Sequence, residues 1–293
     1  MVRVGGGAVV TSRVSPARWA AFDALQAVHN DDAYANLVVP KLVDELDPRD
    51  AGLATEISYG ALRRQGSLDA VIDACASSDV DSVVRDVLRV GVYQLLFMRV
   101  PTHAAVDEAV EMAKDASGRG AGGFVNAVMR AASQHTWDEW VAELTRDRAP
   151  VERLAIEHSF PVWVVRALMD AYRLDADGVA PMLAACNEPA EVTLVARPGQ
   201  CEVAELLDIP GTRAGSRSPY AVLLPRGTAP GSVPAVRQQR AGVQDEGSQL
   251  VALALADIDV PGDPGSWLDL CSGPGGKSAI LAGAAHEVGA TLT

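Results

Sequence analysis

Trp267-Leu268-Asp269-Leu270-Cys271-Ser272-Gly273-Pro274-Gly275-Gly276-Lys277-Ser278 reads as a buried strand, a glycine turn and the first turn of a helix. Open α/β sheets receive nucleotide-like cofactors on such a turn, at the carboxyl end of a strand. Gly273, Gly275 and Gly276 let the main chain turn sharply and let a ligand approach it without a Cβ in the way. The helix that follows, about 277–285, would aim unpaired N–H groups and its positive dipole end at that ligand. Gly276-Lys277-Ser278 fits the end of a phosphate-binding P-loop, but the first glycine of that pattern would fall on Cys271. Pro274 also removes one N–H from the cradle. A dinucleotide fingerprint fails as well, since Ser278 stands where its last glycine or alanine belongs. A tight turn without any ligand remains the bland alternative.

Outward from this turn, the 293 residues suffice for about two domains. The apolar fraction of 48% suits globular cores, and no run reaches the ~18 apolar residues of a membrane span. Residues 1–14 carry Arg3 and Arg13 around Gly5-Gly6-Gly7 and read as a flexible tail, not a signal peptide. Cys75, Cys186, Cys201 and Cys271 are scattered without a C-x-x-C pair. That argues against a disulfide framework and a metal site, and for a reducing cytoplasm. The five histidines form no metal or triad spacing.

The net charge of −13 argues against broad, non-specific affinity for nucleic acid. Its distribution is uneven, however. Between Asp208 and Asp245 no acidic residue occurs, while Arg213, Arg217, Arg226, Arg237 and Arg240 all lie there. The stretch reads either as a solvated linker or as a local phosphate-binding surface.

From Ser15 to about His135 the pattern is helical. Ser15-Pro16 supplies an N-cap and a first-turn proline, and Ala17, Ala20, Ala21, Ala24, Leu25 and Val28 follow at helical spacing. Further helices are expected over 35–46, from Asp50, from Ser82, over the Val106–Ala113 stretch and after Gly123. The helix from Ser82 leaves only a narrow polar stripe of Arg85, Asp86 and Arg89, which marks the centre of a bundle. Asp107, Glu108, Glu111 and Lys114 are expected to face water. Residues 134–150 read as a polar connection, with Trp137 and Trp140 as anchors. Beyond it, helices over 162–172 and 179–186 precede an alternating strand over 191–196, a helix over 202–207 and a strand over 220–224. Together they suggest a small α+β module over 152–241.

Leu268 to Lys277 closely resembles the cofactor motif of the RNA 5-methylcytosine methyltransferases of the RsmB group. Val243-Gln244-Asp245-Glu246-Gly247-Ser248 is similar to the glutamine-aspartate segment those enzymes carry before that strand. Residues 18–28, Ser58-Tyr59-Gly60, the stretch from Leu88 to Tyr93, the stretch from Pro101 to Val110 and the stretch from Gly123 to Arg130 resemble the helical RNA-binding domain named after the antiterminator NusB. Glu157 to Trp163 and Asn187-Glu188-Pro189 look like the intermediate domain of the same group. The resemblance implies a multi-domain protein: an all-α NusB-like domain over 15–135, an α+β intermediate domain over 152–241, and over 242–293 the opening strand, loop and helix of a Rossmann-like methyltransferase domain.

It further implies S-adenosyl-L-methionine at Cys271, Ser272, Gly273, Pro274, Gly275, Gly276 and Lys277, and methylation of cytosine carbon 5 in small-subunit rRNA. Arg213, Arg217, Arg226, Arg237 and Arg240 are the expected RNA contacts. The partner is small-subunit rRNA, with no metal, no membrane and a cytoplasmic location. Such enzymes attack cytosine carbon 6 with a thiolate, which needs a cysteine of lowered pKa. In the group those cysteines follow a proline or a threonine, and no cysteine does so here. Cys75 and Cys186 read as packed thiols within helices, Cys201 as part of a polar turn and Cys271 as part of the cofactor loop. The methyltransferase domain is accordingly expected to be cut short, the catalytic cysteines to lie beyond residue 293, and this chain to bind RNA without transferring methyl groups. The alternative is a NusB-like RNA-binding module with no enzymatic activity.

Overall fold

A computed structural model of the chain describes residues 13–225 and 227–293. These form two compact units, divided between Glu188 and Pro189. Arg226 and residues 1–12 of the expected tail lie outside the described residues. Val14, placed in that tail by the sequence, is buried in the first unit's core.

The first unit is helical: α1 Pro16–Asn30, α2 Ala35–Val43, α3 Pro48–Arg63, α4 Gln65–Cys75, α5 Ser82–Phe97, α6 Thr102–Ser117, α7 Ala121–Ala132, α8 Trp137–Leu144, α9 Pro150–His158, α10 Val162–Tyr172 and α11 Ala176–Cys186. Local signals set many of the ends. Pro16 and Pro48 occupy first turns, and the Asp47 carboxylate accepts the N–H groups of Arg49 and Asp50, satisfying donors a helix start leaves unpaired. Asp81 does the same for Val83 at the head of α5. That helix is buried along most of its length, and Leu88, Val92 and Tyr93 join Leu25, Ile57, Leu68 and Met129 in one core.

Several expectations change here. α2 ends at Val43, not residue 46, and α4 was not anticipated at all. Residues 134–150 are not merely a connection. Thr136 and Glu139 form a reciprocal capping box, and α8 buries Trp140, whose indole N–H donates to the Ala132 carbonyl at 3.0 Å. Glu108 does not face water alone: it accepts the Ser15 N–H and pairs with Arg18.

The polar stripe of α5 is internal. Asp86 is buried and receives Arg89 at 2.7 Å, His29 at 2.8 Å and the Gln26 amide. Arg89 is also held by both carboxylate oxygens of Asp69 on α4. Such charges are retained inside a fold only when paired and hydrogen-bonded.

The stretch 152–241, expected as one α+β module, is divided between the two compact units at Glu188 and Pro189. Its helices α9–α11 belong to the first unit, with a small core of Leu154, Ala155, Val165, Val179 and Leu183. Backbone-directed bonds secure them: the Ser67 hydroxyl donates to the Ile156 carbonyl at 2.6 Å, and the Ser159 hydroxyl accepts the Gly66 N–H at 2.8 Å. Asn187 donates to the His158 carbonyl.

The second unit, Pro189–Thr293, contains β1 Thr193–Ala196, α12 Val203–Leu207, β2 Arg213–Ala214, β3 Ala221–Leu223, α13 Pro234–Arg237, β4 Ala241–Val243, α14 Glu246–Ala256, β5 Ser266–Trp267, α15 Gly276–Glu287 and β6 Thr291–Leu292. Its antiparallel sheet runs β2-β3-β1-β4, with Leu194 opposite Val222 and Val243. β1 was expected to alternate, yet all four residues are buried. The reason is that both faces are covered. Leu194 and Ala196 pack with Leu206 and Ala235, whereas Val195 packs with Ala252 of α14 and Ile280 and Leu281 of α15. No boundary therefore falls between residues 241 and 242: β4 pairs with β1, and α14 and α15 share the sheet's core.

β5 and β6 pair in parallel, Ser266 with Thr291 and Trp267 with Leu292, joined through the glycine turn and α15. The strand expected over 267–270 is shorter and less covered than its sequence suggests. Leu268 is 62% and Leu270 84% exposed. Backbone pairing continues to Asp269, whose N–H donates to the Thr293 carbonyl at 2.9 Å, but among the described residues β5 has a neighbour on one side only, and both leucines stay largely uncovered.

Candidate cofactor loop and arginine surface

Asp269 organises the glycine turn. One carboxylate oxygen accepts the Cys271 N–H at 3.1 Å and the other accepts the Ser278 hydroxyl at 2.7 Å. The end of β5 is thereby tied to the first turn of α15, and the backbone between them is held from both sides. Gly275 caps α15 at φ +100°, a conformation that a side chain would strain. The N–H groups of Gly276, Lys277 and Ser278 open the helix, where helix geometry provides no intrahelical acceptor. Cys271, Ser272, Gly273 and Pro274 are exposed, Gly275 and Gly276 half-buried and Lys277 exposed. All seven residues expected to bind a cofactor are thus brought together on one turn at a helix N-terminus, a place suited to an anionic group such as a carboxylate.

The segment 244–249 braces this turn from behind. Buried Gln244 lies against Gly276, and Asp245 caps α14 by accepting the Gly247 N–H. Gln249, fully buried, accepts the Ser218 hydroxyl at 2.6 Å and donates to the Gln244 carbonyl at 2.9 Å. Glu246 takes three backbone N–H groups, from Ser216 at 3.2 Å, Arg217 at 2.7 Å and Ser218 at 2.8 Å. These donors, Ser218 foremost, hold its carboxyl below the usual range. The sequence flagged Gln244-Asp245-Glu246 as a resemblance but gave no sign of what Glu246 holds, because its donors lie 28 to 30 residues away in the chain.

The arginines fare unevenly. Arg213 pairs with Glu191. Arg240 is held by both oxygens of Glu205 at 2.7 and 2.6 Å, a bond that keeps the Glu205 carboxyl low. Arg237 donates to the carbonyls of Gly231 and Ser232. Arg217 is exposed, and its guanidinium makes no hydrogen bond among the described residues. A stretch free of acids in sequence is therefore not free of them in space. Glu191 and Glu205 come from before Asp208, where a linear reading does not look.

The four cysteines are separate. Cys75 packs against the helical core, and burial, with Glu143 nearby, pushes its thiol up to about 11. Cys186, expected to be packed, is exposed at the end of α11. Cys201, read as part of a polar turn, is buried in the second unit's core, and burial beside Glu205 raises its pKa. Cys271 is exposed in the glycine turn.

Comparison with known proteins shows what the chain is similar to. Residues 15–134 match the NusB family, and the helical first unit carries that domain. The chain is 45% identical over 96% of its length to a Mycobacterium tuberculosis protein named as a methyltransferase, covering 63% of it. It is 34% identical over 90% of its length to ribosomal RNA small subunit methyltransferase B of Pseudomonas syringae pv. tomato, covering 58% of it. The chain is thus similar to ribosomal RNA small subunit methyltransferase B proteins, and its residues 15–134 form a NusB-family domain; it spans about three-fifths of the length of these curated relatives. The crystal structure of PH0851 shares the fold, with a TM-score of 0.67 and 18% identity over 95% of this chain and 63% of that one.

Proposed function

We propose that the protein to which these residues belong is an S-adenosylmethionine-dependent methyltransferase acting on cytosine carbon 5 of small-subunit rRNA. In this reading the chain supplies the RNA-binding helical domain and the cofactor turn. The observation that carries it is the Asp269 clamp on the Leu268–Ser278 turn, which leaves three helix-opening N–H groups available for the methionine carboxylate. Gly273 to Lys277 fit that end of the cofactor, whose contribution when bound is an electrophilic methyl group on sulfonium. β5, α15 and β6 are consistent with the start of a Rossmann-like sheet. Cations of the arginine stretch and the NusB domain would hold the RNA, and the setting is a cytoplasmic one. No helix among the described residues is long and apolar enough to cross a membrane.

The chain by itself is expected not to transfer methyl groups. A nucleophilic thiolate needs a lowered pKa, whereas Cys75 and Cys201 are shifted the opposite way. Cys186 belongs to the helical unit, and Cys271 stands in the cofactor turn itself. These placements also support the narrower reading of an RNA-binding module without activity.

One experiment separates the two. The purified chain, incubated with methyl-labelled S-adenosylmethionine and small-subunit rRNA, is expected to retain RNA without labelling it. A chimera joining the chain to the remaining segment of its Mycobacterium tuberculosis relative is expected to label cytosine carbon 5, and Asp269→Ala to abolish that labelling. An unlabelled RNA with a folded chimera would favour the binding module. Labelling by the chain alone would show that one of its own cysteines attacks the base, and Cys271→Ala would then identify it.

A further inference from the structure

From the contacts of the turn Gly215–Ser218 we infer that Glu246 is a positioning residue for RNA, fixing Arg217 as the cation of the arginine stretch that meets a phosphate. This rests on the RNA-binding reading above and deepens it. Of the four described arginines in the stretch, Arg213 and Arg240 are each committed to a carboxylate and Arg237 to main-chain carbonyls. A guanidinium already neutralised by a carboxylate releases few counterions on meeting a phosphate, so it contributes little to salt-dependent affinity. Arg217 differs. Its side chain is exposed and, among the described residues, makes no ion pair or hydrogen bond with a carboxylate, meeting the Glu246 charge only through space, and its own backbone N–H is the shortest of the three bonds to Glu246.

The clamp is built in depth. Three successive N–H groups converge on one carboxylate, and the next side chain along, Ser218, is anchored by its hydroxyl to buried Gln249. Charge-assisted bonds of this kind are the strong ones. Both anchors stand on the first turn of α14, and Gln244, one residue before the cap of that helix, lies against Gly276 of the cofactor turn. The segment 244–249 therefore carries the RNA-facing turn and backs the cofactor turn at once. A guanidinium on a loop held this way loses less freedom on meeting a phosphate than one on an unbraced loop.

The test is a double-mutant cycle on the 293-residue chain, with small-subunit rRNA titrated across a series of salt concentrations. Arg217→Ala is expected to weaken binding about eightfold near 0.1 M salt and to lower the slope of log affinity against log salt by ~0.7–0.9, the loss of one phosphate contact. Glu246→Ala is expected to do nearly the same, and the double variant to be no weaker than Arg217→Ala alone. Arg213→Ala and Arg240→Ala are expected to leave the slope unchanged. Amide hydrogen exchange at Arg217 and Ser218 reports the clamp without RNA and should accelerate in Glu246→Ala. Should that variant not fold, Glu246→Gln keeps the shape, sets an amide donor against one N–H, and is expected to give a smaller loss of the same kind. Additive losses, or an unchanged slope in Arg217→Ala while the parent chain binds RNA, would overturn the positioning role and leave the RNA reading standing. A parent chain whose RNA binding shows no salt dependence would remove both.

Discussion

At Gly60 the backbone of α3 runs so close to Tyr93 of α5 that an added Cβ would fall 2.0 Å from the ring. The ring cannot swing away freely, because it is buried and its hydroxyl donates to Glu56 at 2.7 Å. Overpacking of this sort costs about 1–3 kcal/mol. Gly60→Ala is expected to lower the melting temperature of the helical unit by roughly 2–4 °C per kcal/mol. An unshifted melting curve would mean that α3 and α5 can part without loss. Ser58-Tyr59-Gly60 was visible in the sequence as part of a family resemblance. What Gly60 meets was not visible, since Tyr93 lies 33 positions on and only tertiary packing joins them. The glycine turn behaves differently. Asp269, Gly275 and Ser278 lie within ten residues, so the sequence could place the whole turn, although not the two bonds by which Asp269 holds it.

Among the elements, α5 joins its neighbours through charge as well as apolar packing. Asp86 is 1% exposed and bonds to Arg89 on its own helix and to Gln26 and His29 of α1, while Arg89 reaches Asp69 of α4. Removing one partner of such a group strands the other in a low dielectric, at about 3–5 kcal/mol. Asp86→Ala is accordingly expected to destabilise the helical unit by that order in urea denaturation. A loss under ~1 kcal/mol would show that Asp69 alone suffices for Arg89. The apolar residues of α5 were legible from their period, and the stripe of Arg85, Asp86 and Arg89 was seen, but as a stripe only. Its partners come from α1, 57–60 residues earlier, and from α4, a helix the sequence did not announce. The arginine stretch teaches the same lesson. Arg213 and Arg240 find Glu191 and Glu205 across strands and turns, 22 and 35 residues away. Local composition reports charge along the chain, while pairing depends on topology.

For the molecule as a whole, the sequence placed domain limits where composition and period change, near residues 150 and 241. Cores decide otherwise. α9–α11 share a small core of their own and are tied to α3 and α4 by side chain to main chain bonds such as Ser67 to Ile156 and Arg64 to Glu157. β1 needs α14 and α15 to cover Val195, which makes residues 189–293 one unit. Each unit thus has an apolar interior of its own, and each is expected to show its own transition in calorimetry of the intact chain. Two substitutions assign them. Gly60→Ala acts only within the first core. Gly283→Ala acts in the second, where an added Cβ on α15 would stand 2.6 Å from the Pro198 carbonyl oxygen. That neighbour is backbone of the turn just after β1, so α15 or that turn must move, at about 1–3 kcal/mol. The expected record is two transitions, with Gly60→Ala lowering one and Gly283→Ala the other. A single transition lowered by both variants would mean that the chain unfolds as one cooperative body, and that the division at Glu188 and Pro189 carries no thermodynamic weight.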